Sequence, residues 1–360
     1  MSDPLRLAAI GVGRIGIFHA RHIQELAEET GKCLLVAVVD PHKDTALRIA
    51  KELQNNQKET VHAFKSVDVL LAADLAKGAV IASRTEDHLA DTRPLIDAGQ
   101  RVLMEKPLAH SVEAAAHFCA HLSKKPECKV ALMQAFMRRF DAPLIHAKGL
   151  IDNGLVGSVF KIVSILEDDA PPPVGYNSPG LLRDMSVHNI DETIWLLGER
   201  PSTVSAFGAH LHNHKVSTVH EDHDDGFMQL EFTGGAIAQI QVTRNHVAGY
   251  RNETHIYGDK GLICVGRFQE DPLHVSVEAY QKGKIVHKKT FRMRDFGTGV
   301  PVFLERFGPA YKAQVARYVE CCLEDTSFPV TQEDGLNALQ VTQAAAQSLV
   351  RDGCKVSIEY

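Results

Sequence analysis

The fold of this chain is decided near its start, by the stretch Leu5-Arg6-Leu7-Ala8-Ala9-Ile10-Gly11-Val12-Gly13-Arg14-Ile15-Gly16. A mostly apolar run, typical of a buried strand, leads into three glycines spaced Gly-x-Gly-x-x-Gly and then into a helical pattern that reaches about Glu28. This order of elements is the context in which the glycine pattern binds a dinucleotide. Gly11 allows a tight turn, Gly13 lets backbone N–H groups approach a pyrophosphate, and Gly16 allows close packing of helix on strand.

An acidic residue completes the predicted cofactor site, to which we also assign the loop residues Arg14 and Ile15. Asp40 directly follows a second apolar run, Cys33–Val39, at the distance from the glycines that the pattern requires. Its carboxylate can accept hydrogen bonds from ribose hydroxyls and repels a 2′-phosphate, so it predicts NAD. Arg14 and His42 leave NADP as an alternative. The alternative is that the glycines only form a turn, but the acidic residue at the end of the strand would then have no function.

The first 133 residues alternate short apolar runs with helical patterns. The predicted strands are Leu5–Ile10, Cys33–Val39, Val67–Leu75, Ala79–Ala82, Arg101–Met104 and Lys129–Ala135, and further helices are predicted over Ala46–Leu53, Asp87–Ala98 and Ser111–Leu122. Such alternation indicates a doubly wound parallel sheet, an α/β Rossmann domain over residues 1–133.

The pattern changes in residues 134–360. A helix over Pro143–Asn153 is followed by β-rich runs separated by glycine turns, and two helices close the chain near Ala310–Glu324 and Asp334–Val350, with Asp334 as an N-cap. This predicts an α+β domain with a large, mostly antiparallel open sheet. Because one face of such a sheet needs covering, we expect a homo-oligomer, a dimer or a tetramer.

The composition and charge of the chain argue against several classes of function. The chain has 360 residues, 44% hydrophobic and 23% charged, with a net charge of −6. A negative balance argues against nucleic acid or an anionic membrane as partner. No apolar run is long enough to span a bilayer, and no signal peptide is visible. Seven cysteines without a Cys-x-x-Cys pair favour a reduced, cytoplasmic protein.

A lysine stands at the edge where ligands of parallel sheets bind. Glu105-Lys106-Pro107 follows the strand predicted over Arg101–Met104. Lys106 could donate a hydrogen bond to a substrate hydroxyl at this carboxyl end of the sheet. Pro107 allows a cis peptide bond. A surface turn is the alternative interpretation of the same three residues.

A second polar motif lies in residues 184–191. Asp184, His188 and Asp191 share one face if the segment is helical. A histidine flanked by two carboxylates can take a proton from a hydroxyl near neutral pH. The alternative is an amphipathic helix with a solvated polar stripe.

These motifs, in this order, resemble the Gfo/Idh/MocA oxidoreductase family over nearly the whole chain. Thr85-Glu86-Asp87-His88 is similar to the family's Thr/Asn-x-x-His cofactor loop, and Ser83 just before it is expected to bind the cofactor too. Residues 134–141 and the helix at 184–191 resemble those of inositol 2-dehydrogenases.

The resemblance implies that NAD accepts a hydride from a hydroxyl-bearing ring carbon, most simply oxidising myo-inositol to 2-keto-inositol. It implies that His188 is the general base, that Lys106 orients the hydroxyl and that Asp184 binds a neighbouring one. Asp191 would bind substrate or pack the helix. Further contacts are expected from Met137 and Arg138 to the nicotinamide or the polyol, and from Glu105 and Lys106 to the cofactor.

Departures from the family pattern leave the substrate open. Glu167-Asp168-Asp169 stands where inositol-type members often carry Arg-Asp-Pro, and this charge reversal at Glu167 would change which polyol fits. Asn252-Glu253 is also unusual, as is the approach to the helix at 179–183. Alternatives are a dehydrogenase of scyllo-inositol or an aldose, a non-catalytic NAD(P)-binding sensor, and an NAD-dependent glycosidase.

Histidines at 210, 212, 214, 220 and 223 could hold a divalent ion. We interpret them instead as a polar hairpin tip, because the family chemistry needs no metal.

Overall fold

The computed structural model describes residues 3–54, 59–124, 131–170, 180–210, 223–244, 246–293 and 301–360. The chain forms two compact units. The first comprises Met1–Phe136 with Tyr311–Leu336, and the second comprises Met137–Ala310 with Asn337–Tyr360. These units differ from the predicted domains 1–133 and 134–360 mainly in the segment Tyr311–Leu336, which belongs to the first unit.

The first unit is built on a six-stranded sheet. Its strands are β1 (Leu5–Ile10), β2 (Cys33–Val39), β3 (His62–Phe64), β4 (Gly78–Ile81), β5 (Arg101–Glu105) and β6 (Leu132–Ala135). Its helices are α1 (Gly16–Thr30), α2 (Lys43–Gln54), α3 (Val67–Ala73), α4 (His88–Asp97) and α5 (Val112–Ser123). Each neighbouring pair of strands is parallel, in the order β3-β2-β1-β4-β5-β6. This is the Rossmann order, and the predicted α/β class is confirmed.

The ends of four apolar strands lie side by side in this sheet. Ile10 pairs with Val39 and with Ile81, and Ile81 pairs with Met104. All four side chains are almost completely buried. The residues that come next therefore emerge at one carboxyl edge, where ligands of open parallel sheets bind. They are Gly11, Asp40, Ala82 and Glu105.

The prediction of a strand over Val67–Leu75 is wrong, because Val67–Ala73 form the helix α3. Ser66 caps it by accepting a hydrogen bond from the backbone N–H of Val69, and the buried side chains Val67 and Leu70 have helical spacing. Only Asp68 and Asp74 interrupt the apolar residues here, which is too few polar positions to reveal that spacing in the sequence. The third strand is instead the three-residue β3, which is too short to leave a pattern in the sequence.

The second unit contains a nine-stranded sheet. Its strands are β7 (Val159–Glu167), β8 (Pro201–Ala209), β9 (Asp225–Phe232), β10 (Ile237–Thr243), β11 (Arg251–Gly258), β12 (Gly261–Val265), β13 (His274–Gln281), β14 (Lys284–Arg292) and β15 (Val356–Ser357). The strand order is β14-β13-β12-β11-β7-β10-β9-β8-β15, and only the pair β7–β10 is parallel. The helices α6 (Ala142–Asp152) and α7 (Val187–Leu197) belong to this unit. The predicted mostly antiparallel α+β architecture is confirmed.

Two long helices, α8 (Val302–Leu323) and α9 (Gln332–Val350), close the chain. α8 begins earlier than predicted and contains Pro309 within it. Asp334 is not the N-cap of α9: its carboxylate accepts a hydrogen bond from the backbone N–H of Thr331 at 2.8 Å, the reciprocal half of a capping box. In the described part of the chain, no helix is both long and apolar enough to cross a bilayer.

Candidate active site

The glycine loop of the first unit combines two tightly packed glycines with one that faces open space. Gly11 has φ of 75°, and a Cβ there would lie 2.4 Å from the backbone of Ser83. A Cβ on Gly16 would lie 1.8 Å from the carbonyl oxygen of Gly11, whereas one on Gly13 would meet nothing within 4 Å. The helical hydrogen bonds begin with the backbone N–H of Ile17, which donates to the carbonyl of Gly13 at 3.1 Å. The N-terminus of α1 therefore lies beside this open backbone, which fits a pyrophosphate.

Asp40 is fixed at the end of β2. It is 8% exposed, and its Oδ1 accepts a hydrogen bond from the backbone N–H of His42 at 3.0 Å. This turn holds a carboxylate at the sheet edge where a ribose would need an acceptor, so the residues present fit NAD. Of the neighbouring predicted cofactor residues, Arg14 is exposed and Ile15 is half-buried.

Replacing Asp40 with serine is expected to weaken the preference for NAD over NADP. Losing hydrogen bonds to a charged group costs ~1.5–3 kcal/mol, so Kd for NAD should rise about tenfold or more. The repulsion of a 2′-phosphate should disappear at the same time. Binding of both reduced cofactors, followed by fluorescence, tests this. Asp44→Ser, at an exposed acid in the first turn of α2, is the matched control. An unchanged NAD/NADP ratio in Asp40→Ser would contradict the assignment.

The peptide that carries Lys106 is held by a buried carboxylate. The Lys106–Pro107 bond is cis, as the sequence allowed. Glu105 Oε2 accepts the backbone N–H of Lys106 at 3.1 Å, and Glu105 Oε1 lies 2.7 Å from Nε2 of His19. His19 lies on α1 and was not predicted as a site residue. Its position three residues after Gly16 is the only sequence signal that could have drawn attention to it.

Two more buried polar side chains brace the same peptide segment. Gln134 donates through Nε2 to the carbonyl of Glu105 at 3.2 Å. His88 Nδ1 lies 2.8 Å from the carbonyl oxygen of Pro107, and its Nε2 lies 3.1 Å from that of Ser83. His88 is 1% exposed, so the structure gives it a supporting role between two loops, and its contact with the cofactor stays a prediction. Ser83 and Thr85, in the same loop, are half-buried.

The buried environment of His88 predicts an acid sensitivity. Burial lowers the pKa of this imidazole below its ordinary value, although bonds to the carbonyls of Pro107 and Ser83 oppose the shift. The unfolded chain therefore takes up a proton below pH ~6.5 that the folded chain does not, and stability falls as the pH drops through that value. In His88→Gln, Tm should fall less between pH ~7.5 and ~5.5 than in the unchanged protein. An identical pH slope would contradict this.

In the second unit, the motif at 184–191 is not one continuous α-helix. A π-helical turn, Leu182–Ser186, contains Asp184 and leads into α7. His188 lies in the first turn of α7 and is 8% exposed. Wide turns of this kind often occur at functional sites. The alternative of a solvated polar stripe is wrong, because His188 and Asp191 are both buried.

Asp184 is paired with a buried arginine that sequence reasoning missed. Nη1 of Arg244 lies 3.6 Å from Oδ2 of Asp184, with side chains 3% and 13% exposed. Arg244 directly follows β10, and its backbone N–H donates to the carbonyl of Asp224 at 2.9 Å. The two partners are far apart in sequence, so no local pattern could have joined them. The pair orients the Asp184 carboxylate.

Asp191 and Arg138 both lie in buried ion pairs. The Asp191 carboxylate accepts hydrogen bonds from Nε and Nη2 of Arg139 at 3.0 and 2.5 Å. This favours the predicted packing role of Asp191 over its contact with substrate. Nη1 of Arg138 lies 2.6 Å from Oε2 of Glu192, with side chains 1% and 0% exposed. Nε and Nη2 of Arg138 have no hydrogen-bond partner among the described residues, so its substrate contact stays a prediction. Met137 is also buried, in a 3-10 turn, Met137–Phe140.

Glu167, where the family pattern often has arginine, faces away from α7. Ser164 accepts a hydrogen bond from Asn189 of α7 at 2.8 Å, and side chains alternate along β7, so Glu167 lies on the opposite sheet face. Its Oε2 lies 3.5 Å from Nη1 of Arg251 and from Nε2 of His246. This placement does not support the predicted direct effect of Glu167 on which polyol fits.

Glu253 extends the same charged cluster. Burial alone would raise the pKa of its carboxyl, but hydrogen bonds from His255 and Arg251 lower it to about 2. The acids and bases of this cluster therefore neutralise one another on the sheet face opposite α7.

The histidine run lies mostly outside the described residues, which exclude 211–222. His210 and His223 are described and stack with ring centroids 4.5 Å apart. Within the described ranges, no group of three or more His, Cys, Asp or Glu is arranged to hold a metal ion.

Comparisons with known proteins agree with this architecture. Residues 5–132 match the oxidoreductase family model for an NAD-binding Rossmann fold, and residues 144–264 match the GFO/IDH/MocA C-terminal domain model. The chain belongs to the Gfo/Idh/MocA family of oxidoreductases and is an NAD-dependent enzyme of that family, as the resemblance implied.

Similar proteins within the family are inositol dehydrogenases. The chain is 28% identical to a scyllo-inositol 2-dehydrogenase (NAD(+)) of Bacillus subtilis, across 100% of this chain and 98% of the relative. It is 27% identical to a myo-inositol 2-dehydrogenase of Thermotoga maritima, across 96% of each. A solved structure of scyllo-inositol dehydrogenase from Lactobacillus casei, with bound NAD(H) and scyllo-inositol, has a TM-score of 0.81 at 25% identity, covering 98% of this chain and 99% of that one.

Proposed function

We propose that this protein oxidises a secondary hydroxyl of a cyclic polyol, with myo-inositol or scyllo-inositol as substrate, and uses NAD as the hydride acceptor. The observation that carries the proposal is the placement of His188 at the start of α7, directly after the turn in which Arg244 orients Asp184. The inositol dehydrogenases to which the chain is similar support the substrate class.

The proposed chemistry divides among three side chains. When bound, NAD supplies the carbon that accepts the hydride. His188 takes the hydroxyl proton as the carbon–oxygen bond becomes double. Lys106 donates a hydrogen bond to that oxygen and stabilises its developing negative charge. Asp184 accepts a hydrogen bond from a neighbouring hydroxyl and so selects a polyol over a simple alcohol.

A substrate panel tests the proposal. Purified protein would be incubated with inositol isomers and aldoses, each with NAD or NADP, and the reduced nicotinamide followed by absorbance. We expect the highest kcat/KM with an inositol and NAD. A preference for aldoses would move the assignment to a sugar dehydrogenase. Turnover of no polyol or sugar, with NAD still bound, would favour the non-catalytic sensor.

We also propose a homo-oligomer, a dimer or a tetramer, formed through the sheet face opposite α7. A Cβ on Gly226 would touch Leu182 beside α7, so the next side chain, Phe227, lies on the other face. Phe207 and Phe227 stack there with centroids 5.1 Å apart, and are 44% and 45% exposed. Apolar side chains grouped in this way indicate a contact surface. Light scattering should give a multiple of the chain mass, and a monomer would contradict the proposal.

A reduced, cytoplasmic location is part of the same proposal. Among the described residues six cysteines are free, and burial raises the pKa of the Cys33 thiol to about 11, which makes it an inert core residue. Fractionation of cells that produce the protein tests this, and recovery with secreted proteins would contradict it.

A further inference from the structure

His19 is a buried histidine to which the proposed chemistry assigns no role. We propose that it is a positioning residue: it fixes the Glu105 carboxylate, and through Glu105 it fixes the backbone that carries Lys106. The inference rests on the proposed function of Lys106 and deepens it.

Each oxygen of the Glu105 carboxylate has its own hydrogen-bond partner. One carboxylate oxygen lies 2.7 Å from Nε2 of His19, and the other accepts the backbone N–H of Lys106 at 3.1 Å. The side chains of His19 and Glu105 are 2% and 9% exposed, so water does not compete strongly for these bonds. The rotamer of Glu105, and with it the path of the chain into Lys106, is therefore set from the α1 side.

The hydrogen bonding of His19 indicates that its purpose is this contact. A carboxylate oxygen only accepts, so Nε2 of His19 is the donor. Nδ1 of His19 is buried and has no hydrogen-bond partner among the described residues, and the ring packs edge-on against Tyr311 at 5.6 Å between centroids. An unsatisfied buried nitrogen costs stability that an apolar residue would not. At this position a histidine donates a hydrogen bond to Glu105, which an apolar residue cannot do.

His19 also joins two parts of the cofactor site. It lies in the first turn of α1, which begins at Gly16 directly after the glycine loop. Glu105 ends β5, the strand that leads to Lys106. The element that would bind the pyrophosphate and the strand that presents the lysine are thus tied by one hydrogen bond, in which α1 provides the donor.

Two substitutions separate positioning from simple packing. His19→Gln keeps an N–H donor near the place of Nε2, whereas His19→Phe fills the space without one. We expect kcat of His19→Phe to fall about 10- to 100-fold, because small displacements of a catalytic group are costly, with Kd for NADH within about twofold. His19→Gln should recover most of kcat. His22→Phe, at another buried histidine of α1, is the control and should leave kcat unchanged.

A readout independent of activity is the backbone amide resonance of Lys106. It would be observed in protein labelled with ¹⁵N-lysine and assigned by its loss in Lys106→Arg. The resonance should move in His19→Phe and stay in place in His19→Gln and His22→Phe. An unmoved resonance in His19→Phe, or wild-type kcat in that variant, overturns the inference. If the unchanged protein oxidises no polyol, the proposed function fails, and the amide resonance still decides whether His19 positions Lys106.

Discussion

Replacing His188 with alanine is expected to lower kcat by about 10²–10⁴ while NAD still binds, because a general base in proton transfer contributes on that scale. His188 is not among the residues assigned to the cofactor, so cofactor affinity should not depend on it. His274→Ala, at an exposed histidine of the same unit, is the control and should keep its kcat.

Lys106→Ala is expected to show a similar loss for a different reason. The donor that orients the hydroxyl and stabilises charge on its oxygen disappears, which typically costs about 10²–10³ in kcat. Binding of NADH by fluorescence and kcat for the best inositol measure the two effects separately. Turnover close to that of the unchanged protein in either His188→Ala or Lys106→Ala contradicts the catalytic assignment.

The second large effect is expected on the stability of the folded chain. Arg138→Ala is expected to lower the free energy of unfolding by ~3–5 kcal/mol, because it leaves Glu192 as an uncompensated charge in a buried site. Glu192 is 0% exposed and accepts further hydrogen bonds from Ser164, at 3.3 Å, and from Thr254. Unfolding in urea measures the loss.

Replacing both charged partners tests the reason for that loss. Arg138→Met combined with Glu192→Leu removes both charges together and should cost less than Arg138→Ala alone. The exposed ion pair between Lys148 and Asp152 on α6 is the matched control. Removing it should lower the free energy of unfolding by less than ~1 kcal/mol. If Arg138→Ala is as stable as the unchanged protein but loses kcat/KM, Arg138 contacts substrate after all, as its sequence motif first indicated.

The cofactor half of the site was predictable because its signals are local. The glycines, Asp40 and Lys106 each directly follow a strand, and the paired ends of parallel strands bring such positions to one edge. The prediction of a strand at Val67–Leu75 failed because its two polar residues, Asp68 and Asp74, are too few to show a period. The hydrogen bond that caps the helix is made by Ser66, outside the run.

The supporting contacts could not be predicted, because they join residues that only the folded chain brings together. His19 meets Glu105 across 86 positions, and Arg138 meets Glu192 across 54. A sequence pattern identifies Arg138 as an arginine near a motif, but burial and partner decide whether it binds substrate or holds a helix. The same distinction applies to Asp191, which pairs with Arg139, and to Glu167, which lies near Arg251.

In the proposed reaction, a hydride moves from a ring carbon of an inositol to NAD. Incubation with NAD and inositol deuterated at every ring carbon, followed by mass spectrometry of the cofactor, tests it most directly. We predict reduced cofactor that is one mass unit heavier than that formed from unlabelled inositol, and none in His188→Ala on the same timescale. Reduced cofactor without deuterium, or no reduction with any inositol isomer, would contradict the proposed hydride transfer.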